Sequence, residues 1–448
     1  IYHSRMKSLC LFAFVGLLTI GSVFADTVKD REGAVRGDKA AMEKDPRWIY
    51  NDWKKGFEQA KWENKPFLVV LRCVPCLACA GIDASVLQEA ELQPLLDKFV
   101  CVRVINANAL DLSLFQVDYD LSFSTVFFNG DGTVYGRYGS WTHQKSPQEK
   151  TTAGFKKAME GALALHRKYP ANKAELAGKQ GEKLPFNDPL EIPQLSGKYK
   201  RELDWQGKVV QSCVHCHMVG DAIRSYYRDQ TKHVPMEWVY PWPPPETIGL
   251  TLAIEDIAKV QSVAANSVAA KAGIKVGDEF TRLNGQPLTS IADVSWVLHR
   301  APDRGVLDAT VLRNGKEQEM EVHLPADWRM NSDISRRVGT WEMRAMVLGG
   351  LYLEDLSDEQ RAERKLSKDS MALLVKHAGE YGIHAAAKNA GFRKDDVLVA
   401  VDAGSAAQQR MSEGELIGHL MKNRVPGDKV RALVLRGNVQ VELVLPIQ

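Results

Sequence analysis

Pro66-Phe67-Leu68-Val69-Val70-Leu71-Arg72-Cys73-Val74-Pro75-Cys76-Leu77-Ala78-Cys79 is the stretch on which the fold of this chain turns. The apolar run after Pro66 shows no polar alternation, so it describes a strand covered on both faces, as inside a mixed sheet. Three cysteines follow at once, in two overlapping Cys-x-x-Cys spacings. Upstream, Trp53, Phe57 and Ala60 share one face of an amphipathic helix over residues 53–62. Downstream the pattern predicts a helix over 84–99, a second buried strand over 100–105 and a third over 125–128. Asn129-Gly130-Asp131-Gly132 makes a tight turn, 133–138 its hairpin partner, and 153–168 a closing helix.

A thiol at the start of a helix has its thiolate favoured by the helix dipole. Cys76 is therefore the expected attacking sulfur and Cys79 the resolving one, with Cys73 a third thiol able to exchange with Cys76 and Arg72 a neighbouring positive charge. Three sulfurs this close could instead hold copper or zinc. Cys101 reads as a buried strand residue. The order of elements resembles the thioredoxin fold over residues 47–168, which implies dithiol–disulfide chemistry. Thioredoxins place a cis-proline before the third strand, whereas Ser124 stands there in this chain.

With 448 residues the chain exceeds one ordinary domain. Lys plus Arg (58) nearly cancels Asp plus Glu (56), and no basic, aromatic-laced patch appears, so nucleic acid is not an expected partner. Residues 1–25 read as a secretory signal: Met6-Lys7, an apolar stretch over 9–24, and Val23-Phe24-Ala25 before the cut. A membrane anchor helix is the alternative, although the stretch is short for a bilayer. No other segment is long and apolar enough to span, so a mature chain without a membrane span, in the periplasm or cell envelope, is expected. Residues 26–46 read as a flexible polar segment and 169–200 as a linker rich in Lys, Glu, Gly and Pro.

Cys213-Val214-His215-Cys216-His217, in a segment spanning 201–245, has the spacing for a covalent c-type haem. Its two thiols would add to the vinyl groups and His217 would bind iron. Met236, His233 and Met218 are the candidate sixth ligands, and an open sixth position is the alternative. A zinc site from Cys213, Cys216, His215 and His217 competes with haem. The run Pro241-Trp242-Pro243-Pro244-Pro245 reads as an extended spacer.

Residues 246–325 carry Thr247-Ile248-Gly249-Leu250, then Ala272-Gly273-Ile274 and Val276-Gly277-Asp278, with a helix over 290–300 and a hairpin at Asn314-Gly315. They resemble PDZ domains of bacterial envelope proteases. A connector, 326–347, leads to a weaker copy over 348–448. It begins at Leu348-Gly349-Gly350-Leu351, repeats Ala390-Gly391-Phe392, places Asp395 where the first copy has Gly277, and has a helix over 413–422. The resemblance implies that amides around Gly249 and Leu250 hold a peptide carboxylate, and that Val294, Val297 and Leu298 line the side-chain pocket. The alternative is that this unit only packs against its neighbours. No protease nucleophile turn accompanies it.

Taken together, Arg72-Cys73-Val74-Pro75-Cys76 and Trp238-Val239-Tyr240-Pro241 leading into Ile248-Gly249-Leu250 make the whole resemble the bacterial thioredoxin-like/PDZ family, some of whose members carry selenocysteine at the redox site. The expectation is a multidomain α/β and α+β chain: an exported redox protein with a thiol site, haem c, a redox partner protein and PDZ units that recruit a peptide or protein. The alternatives are a non-enzymatic PDZ scaffold with a structural or sensory haem, and a metal-handling protein using the three-cysteine cluster.

Overall fold

The computed structural model describes residues 30–74, 87–139, 152–230, 232–402 and 409–448. The signal reading of residues 1–25 lies outside them, and so do Cys76 and Cys79.

The first unit is a five-stranded sheet in the order β1-β3-β2-β4-β5, from β1 (Trp48–Tyr50), β2 (Phe67–Arg72), β3 (Val100–Val104), β4 (Phe123–Phe128) and β5 (Val134–Tyr138). β1, β3 and β2 are parallel, and β4 and β5 join antiparallel. Every residue of β2, β3, β4 and β5 is buried, as their predominantly apolar composition implies, with Arg72, Arg103, Ser124, Thr125 and Arg137 the polar residues among them. Helix α2 (Trp53–Glu63), capped by the Asp52 side chain, lays Phe57 against Phe67 with ring centroids 4.4 Å apart. On the other face α3 (Thr152–Arg167) sets Phe155 against Tyr138 at 4.8 Å. The helix expected over 84–99 is broken in its described part: a 3-10 turn, Ala90–Leu92, precedes one turn of α-helix, Gln93–Leu96. Pro94 cannot donate to the preceding turn, so a continuous ladder ends there.

Three segments read as flexible or extended are packed instead. Residues 26–46 contain α1 (Arg31–Met42), which buries Val35 and pairs Asp38 with the buried Arg103. Residues 169–200 form short helical turns that bury Leu176, Ile192 and Leu195. The Pro241–Pro245 run is largely buried rather than a solvated spacer, and Trp242 adopts φ +49°. Its ring stacks on His299 at 5.4 Å.

The segment 201–245 contributes α4 (Cys216–Asp229). The next unit pairs β6 (Leu250–Leu252) with β7 (Val260–Val263). Its larger sheet runs β11-β10-β8-β9, from β8 (Glu279–Leu283), β9 (Gln286–Pro287), β10 (Gly305–Arg313) and β11 (Lys316–Leu324), with α5 (Ile291–Arg300). After α6 (Thr340–Leu348), the last unit is a sheet in the order β12-β13-β14-β15-β16: β12 (Leu351–Asp355), β13 (Leu373–Ala378), β14 (Val397–Val401), β15 (Lys429–Arg436) and β16 (Val439–Pro446), with α7 (Glu413–Asn423).

The two copies share one buried device. Arg313 grips Asp278 bidentately at 2.7 Å and donates to the Gly273 carbonyl, while Arg436 grips Asp396 at 2.8 Å and donates to the Gly391 carbonyl. Each aspartate also accepts an amide three residues back, from Lys275 and Arg393. Asp395, in the place of Gly277, keeps the left-handed turn at φ +69°, a conformation Asp tolerates better than most residues.

Candidate functional site

Strand β2 delivers Cys73 to the end of the first sheet, where its amide donates to the Ser122 carbonyl at 3.0 Å and extends the β2–β4 ladder. The Cys213–His217 segment is brought up to it by two polar anchors. Asn108, fully buried, accepts the Val214 amide at 2.7 Å and donates to the Ser212 and Lys200 carbonyls. Glu32 of α1 accepts the amides of Val209 and Val210, both at 3.0 Å. His215 is the N-cap of α4, Cys216 its first residue, and Cys213 stands three positions earlier.

This arrangement places the Cys73 Sγ 3.4 Å from the His215 Nδ1. Cys73, Cys213, His215 and Cys216 line one cavity, walled by Val35, Ile105, Leu203 and Val209. Its volume is about 10 Å³, room for one water at most. Burial lowers the pKa of His215, reinforced by the neighbouring His217, so the ring stays neutral near pH 7 and can accept a hydrogen bond from a thiol.

Burial also pushes the Cys213 thiol up to about 11 and the Cys216 thiol up to about 12. Both should therefore resist iodoacetamide at pH 8 in the folded protein and react on unfolding, as mass mapping of alkylated peptides will show. Equal rates in both states would contradict this. The linked stability has a definite sign: folded values above the unfolded thiol value of about 8.5 leave stability intact below that pH, and it falls as pH rises through 11 to 12. Cys101 is a core residue, buried, its Sγ 3.5 Å from the Leu96 carbonyl.

As it stands, this arrangement leaves no room for a porphyrin between the two segments: Cys213 and Cys216 line, together with Cys73, a cavity of about 10 Å³, and His217 is not among the residues lining it. His217 instead points its Nδ1 at Asp221, 3.2 Å away, and Asp221 is held by Arg224 at 2.5 Å. Nor are the expected sixth ligands gathered at His217. The Met218 sulfur accepts from Tyr199 at 3.8 Å. His233 lies beyond the far end of α4, 3.4 Å from the Met421 carbonyl. Met236 begins the turn whose Trp238 carbonyl accepts from Arg224, two turns along that helix. The zinc alternative fares no better: among the described residues, no group of three or more Cys, His, Asp or Glu is arranged to hold a metal ion.

At the expected peptide site the side chains are closed in. Gly249 takes φ +84°, and a Cβ there would fall 2.2 Å from the Ser267 side chain, so glycine is required. Its amide donates to the Glu246 carbonyl at 2.9 Å, and Leu250 is buried in β6. Val294, Val297 and Leu298, expected to line an open pocket, are at most 2% exposed and belong to the apolar core of their unit. Helix α5 is held from outside as well: Trp296 donates to the Gly178 carbonyl, and Asp293 pairs with Lys179. In the last unit Glu413 accepts the Leu353 amide at 2.7 Å, which occupies part of the edge of β12.

Sequence reasoning missed Asn108, Glu32 and the His215–Cys73 contact. His215 could have been noticed as the residue inside a Cys-x-x-Cys spacing; nothing in the sequence marks Asn108 or Glu32.

The comparisons with known proteins agree with this division. A thioredoxin-like family matches residues 48–130 and the PDZ domain family matches residues 247–324. The periplasmic pH-dependent serine endoprotease DegQ of Escherichia coli strain K12 is 29% identical over 151 residues, 34% of this chain and 29% of that protein. The periplasmic serine endoprotease DegP of the same strain is 42% identical over 67 residues, 15% of this chain and 14% of that protein. The chain thus spans less than a third of the length of these relatives. A solved structure, the HtrA-type protease AlgW with decapeptide, is 18% identical, with a TM-score of 0.20 over 30% of this chain and 38% of that one. The chain carries a thioredoxin-like domain and a PDZ domain. Among the described residues, no helix is long and apolar enough to cross a membrane.

Proposed function

We propose that this chain is an exported thiol–disulfide oxidoreductase of the cell envelope, acting through Cys73 and recruiting a protein partner through its PDZ domain. The observation that carries the reading is the 3.4 Å contact between the Cys73 Sγ and the His215 Nδ1 at the end of a buried strand of the thioredoxin-like sheet. A neutral imidazole there takes the thiol proton, and the thiolate so formed is the nucleophile of disulfide exchange. The location is supported by the secretory-type start and by the periplasmic relatives of the PDZ region. Partner binding requires α5 to loosen from the linker, because its pocket residues are buried in the closed form.

Reduction of a fluorescent protein-disulfide substrate tests this. Cys73→Ser is expected to fall to background, and His215→Ala to keep activity only at higher pH, where Cys73 ionises unaided. A wild-type rate in Cys73→Ser would move the nucleophile to another cysteine such as Cys76, and no rate above background in the wild type would favour a non-enzymatic scaffold. Covalent haem at Cys213 and Cys216 requires the cavity to open. A pyridine haemochrome band in protein matured in a haem-attaching host would establish it in place of thiol chemistry at that pair.

A further inference from the structure

We infer that Cys213 and Cys216 are the dithiol that resolves Cys73, so that the pentapeptide read as a haem anchor is a second redox pair working on the first. The inference rests on the thiol–disulfide reading above and names the partner of the same site. Cys73, Cys213 and Cys216 line one cavity with room for a single water, and His215, between the paired cysteines, touches Cys73. The segment is held in place by side chains from elsewhere: Asn108 fixes the turn at Val214, and Glu32 fixes Val209 and Val210. Cys213 and Cys216 flank the N-cap of a fourteen-residue helix, a spacing that a disulfide closes.

The substrate class is a disulfide-bonded protein or peptide. The Cys73 thiolate attacks one substrate sulfur, forming a Cys73–substrate disulfide and releasing the other substrate sulfur as thiolate. One thiol of the pair, its proton passing to that leaving sulfur, then attacks the Cys73 Sγ; a Cys73–pair disulfide forms and the second substrate sulfur leaves. The remaining thiol of the pair attacks its neighbour, closing Cys213–Cys216 and returning the Cys73 thiolate. Overall one substrate disulfide becomes two thiols, while Cys213 and Cys216 give up two electrons and two protons. The same steps run backwards when a substrate dithiol meets an oxidised pair.

The shared cavity also says why haem attachment and this exchange exclude each other: thioether bonds to a porphyrin would consume both thiols of the pair.

The experiment uses the full chain, reduced and then exposed to glutathione disulfide, with thiols trapped by alkylation in denaturant and peptides mapped by mass. In wild type the Cys213–Cys216 disulfide is expected to accumulate as glutathione is released. In Cys213→Ser or Cys216→Ser a cross-link from Cys73 to the remaining cysteine is expected. Absence of a Cys73 cross-link in both variants, with no Cys213–Cys216 disulfide in wild type, would overturn the inference. So would a haem adduct on the Cys213–Cys216 peptide. If Cys213→Ser/Cys216→Ser keeps the wild-type rate over many turnovers while Cys73→Ser is inactive, the resolving role is wrong and the thiol function stands. If Cys73→Ser is fully active, Cys73 is not the nucleophile and both the reading above and this inference fall; if the wild type itself is inactive, the thiol function falls.

Discussion

Arg337→Ala is expected to lower the stability of the folded chain by about 3–5 kcal/mol at pH 7, read from urea unfolding. Arg337 is buried and faces two buried carboxylates of the thioredoxin-like unit, Asp118 and Asp120, the second at 2.9 Å. Truncation leaves both acids buried without a countercharge, which costs far more than an exposed ion pair is worth. One guanidinium serves two carboxylates even in the native protein, and burial pushes Asp118 up to about 6. Because that folded value lies above the unfolded one, the proton on Asp118 stabilises the fold fully below about pH 4, and this contribution is lost as pH rises through 6. In Arg337→Ala the buried Asp118 protonates more readily, so the loss should shrink markedly at pH 5. An equal loss at both pH values would assign the effect to packing instead. Asp118→Asn/Asp120→Asn placed on Arg337→Ala should recover a large part of it.

The consequence reaches the site. Gly339, two residues after Arg337, sits between Arg224 and Asp120: a Cβ there would lie 2.1 Å from an Arg224 nitrogen and 2.9 Å from an Asp120 oxygen. Arg224 in turn holds Asp221, which holds His217. The connector thus braces the helix that begins at Cys216.

The strands were legible in the sequence because a strand buried on both faces is mostly apolar, and β2, β3 and β4 are, apart from Arg72, Arg103, Ser124 and Thr125. The PDZ-like turns were legible because a left-handed turn selects Gly, or Asp at Asp395. The segments 26–46, 169–200 and 326–347 were not, and for one reason. Their charged residues look solvated until the partner is known, and the partner is remote: Asp38 meets Arg103, 65 positions away; Lys179 meets Asp293, 114 away; Arg337 meets Asp118, 219 away. No local periodicity encodes such a pair. The same blindness led Cys213–His217 to be read by its own spacing alone. The spacing states what two thiols and an imidazole can do, while the neighbour that adds a further option, Cys73, is 142 positions away from His215.

Asp293→Ala is expected to cost a similar 3–5 kcal/mol and to release the PDZ domain from the thioredoxin-like unit. Asp293 is 1% exposed and accepts from Lys179, itself fully buried, at 2.8 Å, and from the Thr289 hydroxyl and amide and the Arg137 amide. Burial lowers the pKa of Lys179 and brings Arg137 down to about 10, so both cations depend on this carboxylate to remain charged inside the protein. Arg137 also lies over the Trp296 ring, 4.1 Å from its centroid, and donates to the Lys179 carbonyl. Three parts of the chain, β5, the 169–200 segment and α5, therefore meet at one charge. Removing it leaves two buried cations with no acid between them, and water must enter to solvate them. Unfolding followed by tryptophan fluorescence should then separate an early transition, from Trp296, from the later one of the first sheet, and trypsin should cut at Lys179, which is shielded in the native protein. One unfolding transition at the native midpoint, with Lys179 still protected, would show that the junction is held by its apolar contacts and that the buried charge cluster is dispensable.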